Sequence, residues 1–122
     1  MRPTYHLVPT EVWDAADAGA PYAPPSLTTE GFVHCTDGVA ALLATGDRYY
    51  RDDPRSYVVL TIDLDRAGSP WRFDDGGPPY PHVYGPIDPA AILEVHDARR
   101  DETGSFTGLD RRAGAPSTGR PA

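Results

Sequence analysis

Glu30-Gly31-Phe32-Val33-His34-Cys35-Thr36 runs directly into Asp37-Gly38, and the reading of this stretch decides the fold. Two bulky apolar residues, a polar pair and a Thr-Asp-Gly ending describe a short buried strand that passes into a helix N-terminus. Junctions of this kind in α/β and α+β folds gather functional groups, because backbone N–H groups and side chains converge there. Strand alternation sends neighbouring side chains to opposite faces. His34 and Thr36 therefore share one face, while Cys35 points the other way and reads as a small packed residue.

On the N-terminal side, residues 4–8, Thr-Tyr-His-Leu-Val, have strand composition and carry His6 in the middle. Pro9-Thr10 ends that strand, and Thr10 caps an expected helix over residues 11–18 that Gly19 closes. Val12, Trp13 and Ala16 form its apolar side, with Trp13 as packing. A proline-rich connector, residues 20–25, leads back to the opening stretch.

On the C-terminal side, Val39, Leu42, Leu43, Gly46, Tyr49 and Tyr50 follow the spacing of an amphipathic helix that Asp52-Asp53-Pro54 stops. Tyr49 and Tyr50 lie about 100° apart around it, so one is expected in the core and the other on a groove wall. Residues 56–63, Ser-Tyr-Val-Val-Leu-Thr-Ile-Asp, read as a central strand. After a turn over residues 64–70, Trp71-Arg72-Phe73 makes a short strand with both aromatics on one face. Residues 74–79, Asp-Asp-Gly-Gly-Pro-Pro, cannot form regular structure and read as a loop. They deliver the chain to Tyr80-Pro81-His82-Val83-Tyr84-Gly85-Pro86. Residues 88–91 have the Asp cap and N1 proline of a single helical turn. Residues 92–99 read as a last strand, with His96 at the surface or an edge. Residues 110–122 are small and polar and read as a disordered tail behind a single domain over residues 1–109.

Composition narrows the function. The 122 residues hold 14 prolines and 12 glycines, which implies many turns and short elements. A formal charge of −7 argues against sequence-independent nucleic-acid binding, which draws its affinity from basic residues on phosphates. All eleven basic residues are arginine, so lysine Schiff-base chemistry is excluded. A single cysteine permits no intramolecular disulfide. No leader pattern and no membrane-length apolar run occur, which makes the cytoplasm the expected location.

His6, His34 and His82 each sit among apolar or aromatic residues in strand-like segments. A buried imidazole needs partners for both ring nitrogens. Two readings stand: a shared polar pocket, or three separately satisfied histidines. A zinc site of these histidines and Cys35 is disfavoured, because the spacings match no local zinc motif and His34 and Cys35 face apart. No metal is expected. No glycosidase-like carboxylate pair can be picked out among acidic residues that cluster in turns and caps.

Tyr5-His6-Leu7-Val8, Trp13, Gly31 to Thr36, Arg48-Tyr49-Tyr50 and Pro81 to Pro86 together closely resemble a family of short bacterial proteins, domain-of-unknown-function family 952. The resemblance covers roughly residues 4–108, with Thr36 where a serine is usual and Tyr80 where a phenylalanine is usual. It implies an α+β, ADP-ribosyltransferase-like fold: a bent, split β-structure with two helices around a nucleotide cleft. It further implies an enzyme of the ADP-ribosyl- or 2′-phosphotransferase type acting on NAD or a nucleotide-like derivative. His34 and His82 are then the catalytic candidates, with His6, Thr36, Tyr84 and Arg48 as ligand contacts; Arg51 and Arg72 are further candidate arginines. His82 falls where such enzymes carry a glutamate that stabilises developing positive charge, which a neutral imidazole does not do. Two alternatives stand beside this one, a non-catalytic nucleotide-binding module and a metal-dependent hydrolase.

Overall fold

The structure, a computed structural model, describes residues 1–74 and 76–112. Among them the chain forms strand β1 (Pro3–Pro9), helix α1 (Thr10–Ala15), a one-turn helix α2 (Ser26–Thr29), strand β2 (Val33–His34) and helix α3 (Val39–Tyr49). Strands β3 (Tyr57–Asp63), β4 (Trp71–Phe73), β5 (Pro81–Val83), β6 (Ile92–Arg100) and β7 (Phe106–Arg111) follow, with 3₁₀ turns at Leu64–Arg66 and Pro89–Ala91. The described strands pair into two antiparallel sheets, one ordered β1-β3-β6-β7 and the other β2-β5-β4. No helix among the described residues is long and apolar enough to cross a membrane.

β3 is buried along nearly its whole length because both of its faces are covered. Val58, Leu60 and Ile62 point to one side, where they pack with Val8, Val33, Cys35, Val83 and Ile87. Tyr57 points to the other, against the ring of Phe106. α3 reaches β7 through Gly46, where an added Cβ would come within 2.7 Å of the Phe106 ring. Asp47 Oδ1 secures that contact by accepting the Phe106 backbone N–H at 2.6 Å and the Ser105 hydroxyl at 3.0 Å. The two sheets are joined where Tyr5 and Thr36 exchange backbone hydrogen bonds of 2.9 and 2.7 Å.

Several expectations shift. Residues 30–36 form only a two-residue strand: Cys35 N–H still donates to the Pro81 carbonyl of β5 at 3.0 Å, and at Thr36 the chain turns to pair with Tyr5 of β1. The segment before it holds α2, and α1 stops at Ala15 rather than residue 18. Tyr49 and Tyr50 are both exposed, Tyr50 leaning on the Tyr57 ring, so neither fills the core. His96 lies on an interior strand, opposite Val59 of β3 and Arg111 of β7, not at an edge. β7 had no counterpart in the sequence reading. It takes Asp110 and Arg111 out of the expected tail, and Arg112 pairs with Asp14 at 2.5 Å. The rest of that tail, residues 113–122, lies outside the described residues.

Candidate functional site

The period of two along three short strands builds the site. Val33 pairs with Val83, which pairs with Trp71, and these side chains turn toward the core. One residue out of phase, His34 pairs with His82 and His82 with Arg72, so this row stands on the opposite, solvent side. Phe32 and Tyr84 belong to the next row of the same side. The small sheet is therefore apolar beneath and polar above.

The upper face is a connected cluster. The Phe32 ring stacks on His82 with centroids 4.0 Å apart and lies 4.7 Å from His34 and 5.4 Å from Tyr84. The two imidazoles meet edge-on at 5.3 Å. Each is aligned by a carboxylate. His82 Nδ1–H donates to Asp74 Oδ2 at 2.7 Å, and His34 Nε2–H donates to Glu30 Oε1 at 3.0 Å. Asp74 also accepts from Arg72 Nε at 2.7 Å and from the Tyr84 hydroxyl. The Arg72 guanidinium, then the Tyr84 hydroxyl and His82, hold the Asp74 carboxyl well below the usual carboxylate range. The Arg72 guanidinium also lies 4.2 Å over the Tyr84 ring. His82 is mostly covered, at 13% side-chain exposure, whereas His34 is half open. Nε2 of His82 and Nδ1 of His34 are the ring atoms left to a ligand. Among the described residues no three His, Cys, Asp or Glu side chains are grouped so as to hold a metal ion.

A family model described as "Protein of unknown function (DUF952)" matches residues 7–95. The chain belongs to that family. The DUF952 match takes in every member of the polar cluster, from Glu30 to Tyr84. Two crystal structures of protein CC0527 from Caulobacter crescentus, one of them a double mutant, share the fold with a TM-score of 0.69 at 23% identity. That match covers 86% of this chain and 93% of CC0527. The solution NMR structure of CC0527 gives 0.66, covering 88% and 93% at the same identity. At this identity the likeness is one of fold. No curated protein sequence matches the chain.

Of the residues that resemblance to this DUF952 family nominated, the structure brings together His34, His82 and Tyr84. His6 lies beneath them, 5% exposed, with Nδ1–H donating to the His34 carbonyl at 2.7 Å and Nε2 accepting from the Tyr22 hydroxyl at 2.9 Å. Both ring nitrogens are engaged, so a ribose hydroxyl reaches His6 only by displacing one of these partners. Burial, offset in part by the His34 carbonyl, holds its pKa down at about 4. Thr36 is likewise buried, at the backbone bridge to Tyr5. It does not share the open face with His34. Arg48 is exposed at the end of α3, its guanidinium 5.8 Å from the Tyr49 ring and its pKa raised by the neighbouring Tyr49 and Tyr80 side chains. Tyr80 is the residue before β5, which places Arg48 beside the polar face rather than on it.

Glu30, Phe32, Asp74 and Arg72 complete the cluster, and Asp74 comes from the segment read only as a loop. A second depression, lined by Arg51, Asp53, Arg55, Arg100 and Thr103 among others, shares no residue with the cluster. Its arginines tie turns together, Arg55 with Asp53 at 2.8 Å and Arg100 with the carbonyls of Tyr50, Arg51 and Arg55. It presents no acid–base pair.

Cys35 is on the apolar side, fully packed, its thiol pushed up to about 12 by burial. Native protein at neutral pH is expected to resist iodoacetamide over hours, while urea-denatured protein takes up one label per chain, as mass spectrometry reads. Equal labelling rates in the two states contradict this placement.

Proposed function

We propose that the chain is a transferase-type enzyme acting on NAD or a nucleotide-like derivative at the polar face of the small sheet. The observation that carries this reading is the pair of carboxylate-aligned imidazoles 5.3 Å apart beside an aromatic ring. An imidazole held in one tautomer presents a defined nitrogen for proton transfer near neutral pH. His82 is the base, and His34 delivers or orients. A β-structure split into two antiparallel sheets that meet at Tyr5 and Thr36 is compatible with the ADP-ribosyltransferase-like arrangement that the family resemblance implies. A cytoplasmic location belongs to this reading.

Titrating NAD, ADP-ribose and related nucleotides by calorimetry and by NMR of the imidazole protons tests it. Binding that shifts the His34 and His82 signals and weakens in His34→Ala is the expected result. No binding at millimolar ligand, or binding unchanged in His34→Ala, sinks the reading. A non-catalytic binding module is the second reading, favoured by the saturation of Asp74 with three internal donors. Release of nicotinamide from NAD, or turnover of another bound nucleotide, separates the two.

A further inference from the structure

The chemistry of the bond broken follows from what the polar face holds, taking as its basis the reading of that face as an acid–base site for nucleotide-like ligands. No thiol or hydroxyl nucleophile is presented among the cluster residues. Cys35 is buried on the opposite side with its thiol raised, Thr36 is buried, and the Tyr84 hydroxyl donates to Asp74. With the two imidazoles assigned to proton transfer, the attacking group is water, the hydrolytic case of the proposed transfer chemistry.

Both carboxylates are committed, Asp74 to three donors and Glu30 to His34. Cleavage of a glycosidic bond calls for a carboxylate facing the sugar to offset oxocarbenium charge. The cluster offers two neighbouring imidazoles, 5.3 Å apart between centroids, each with one nitrogen not engaged by its carboxylate, so one can act as acid and the other as base in a displacement at phosphorus. Arg72 uses Nε on Asp74, which leaves its outer guanidinium donors for a phosphoryl oxygen.

Magnitudes narrow the substrate. A positioned acid or base contributes about 10²–10⁴-fold each, whereas hydrolysis of an ordinary phosphate monoester requires acceleration approaching 10²¹ on the order-of-magnitude scale. Two imidazoles suffice only for an ester that is already activated. A five-membered cyclic diester on a ribose cis-diol meets that condition through ring strain and is itself nucleotide-like.

We propose that the site hydrolyses nucleoside 2′,3′-cyclic phosphates. His82 Nε2 takes a proton from water as the water oxygen bonds to phosphorus. The bond from phosphorus to one ribose oxygen breaks, and that oxygen takes a proton from Nδ1 of His34, which enters the step doubly protonated and ion-paired with Glu30. Cyclic diester and water become one nucleoside monophosphate, and the two imidazoles return to their starting states by exchange with solvent.

The test uses the full chain with adenosine 2′,3′-cyclic phosphate, followed by phosphorus NMR, with a nucleoside 4-nitrophenyl phosphate as second substrate. Conversion to a monophosphate above the buffer rate is expected, with a bell-shaped pH dependence of kcat/KM. His34→Ala is expected to lose about 10²-fold or more on the cyclic phosphate. On the nitrophenyl ester it loses far less, because nitrophenolate departs without a proton. His82→Ala loses activity on both. No conversion by protein that still binds nucleotides at His34 and His82 overturns this inference and leaves the ligand reading standing. Absence of any nucleotide binding overturns both. Equal losses in His34→Ala on the two substrates overturn the assignment of His34 as the acid.

Discussion

Lowering the pH from neutral to about 4 is expected to cost the fold on the order of 3 kcal/mol through His6 alone. The buried imidazole titrates at about 4 in the folded chain against an ordinary 6.5, chiefly because burial disfavours its charged form. Above about 6.5 neither state binds the proton and His6 contributes no pH dependence. Between the two values the unfolded chain takes up a proton that the native chain refuses, so stability falls as pH falls through that window. The loss is complete below the folded value. The carboxyls held low by partners, Asp53, Asp63, Asp74 and Asp101, act at more acid pH, because their stabilisation disappears only as pH drops below the ordinary carboxylate value of 3.8. Urea denaturation at a series of pH values separates the two ranges. His6→Asn keeps a donor where Nδ1–H meets the His34 carbonyl and removes the titration, so its stability is expected to be nearly flat across the His6 window. A wild-type curve equally flat there contradicts the burial of a neutral imidazole.

The same residue shows where sequence reading stops. Alternation along residues 4–8 identifies the strand and which residues share a face, and it does not say which face is covered. His6 alternates with Thr4 and Val8 on the buried side of β1, and its polar partners come from Tyr22 and the His34 backbone, far away in sequence. Period two also predicted correctly that His34 and Cys35 part company. It failed at Thr36 because the chain changes sheets there, and one residue of crossover cancels the alternation. Asp74 was hidden by composition. An Asp beside Gly-Gly-Pro-Pro has the statistics of a turn, yet two residues after Arg72 on the antiparallel partner of β5 it stands within reach of His82. The pairing of β4 with β5 was the missing information. With it, the spacing of Arg72, Asp74, His82 and Tyr84 places all four on one face. β7 was missed for a different reason, since its Gly108 and charged end weaken the strand signal, and it is the ladder with β6, backed by contact with α3, that holds it.

Replacing His82 by alanine is expected to lower kcat/KM on a nucleotide substrate by about 10²–10⁴-fold, the range for losing one positioned proton-transfer group. The fold tolerates it, because His82 stands on the solvent side of the small sheet while the buried row Val33-Val83-Trp71 is unchanged. Asp74→Asn tests whether the carboxylate works through the imidazole. An amide accepts at one oxygen only and turns donors toward Arg72, His82 or Tyr84, so the fixed tautomer of His82 is lost while the ring remains. A smaller loss than in His82→Ala is expected, mainly in kcat, with a displaced limb in the pH profile. The double variant decides the matter. If Asp74 acts only by holding His82, His82→Ala combined with Asp74→Asn is no slower than His82→Ala alone, a non-additivity of the kind seen where residues act as one unit. Additive losses would assign Asp74 a separate part, through the Arg72 guanidinium it holds at 2.7 Å, and would make that guanidinium the second functional group of the site.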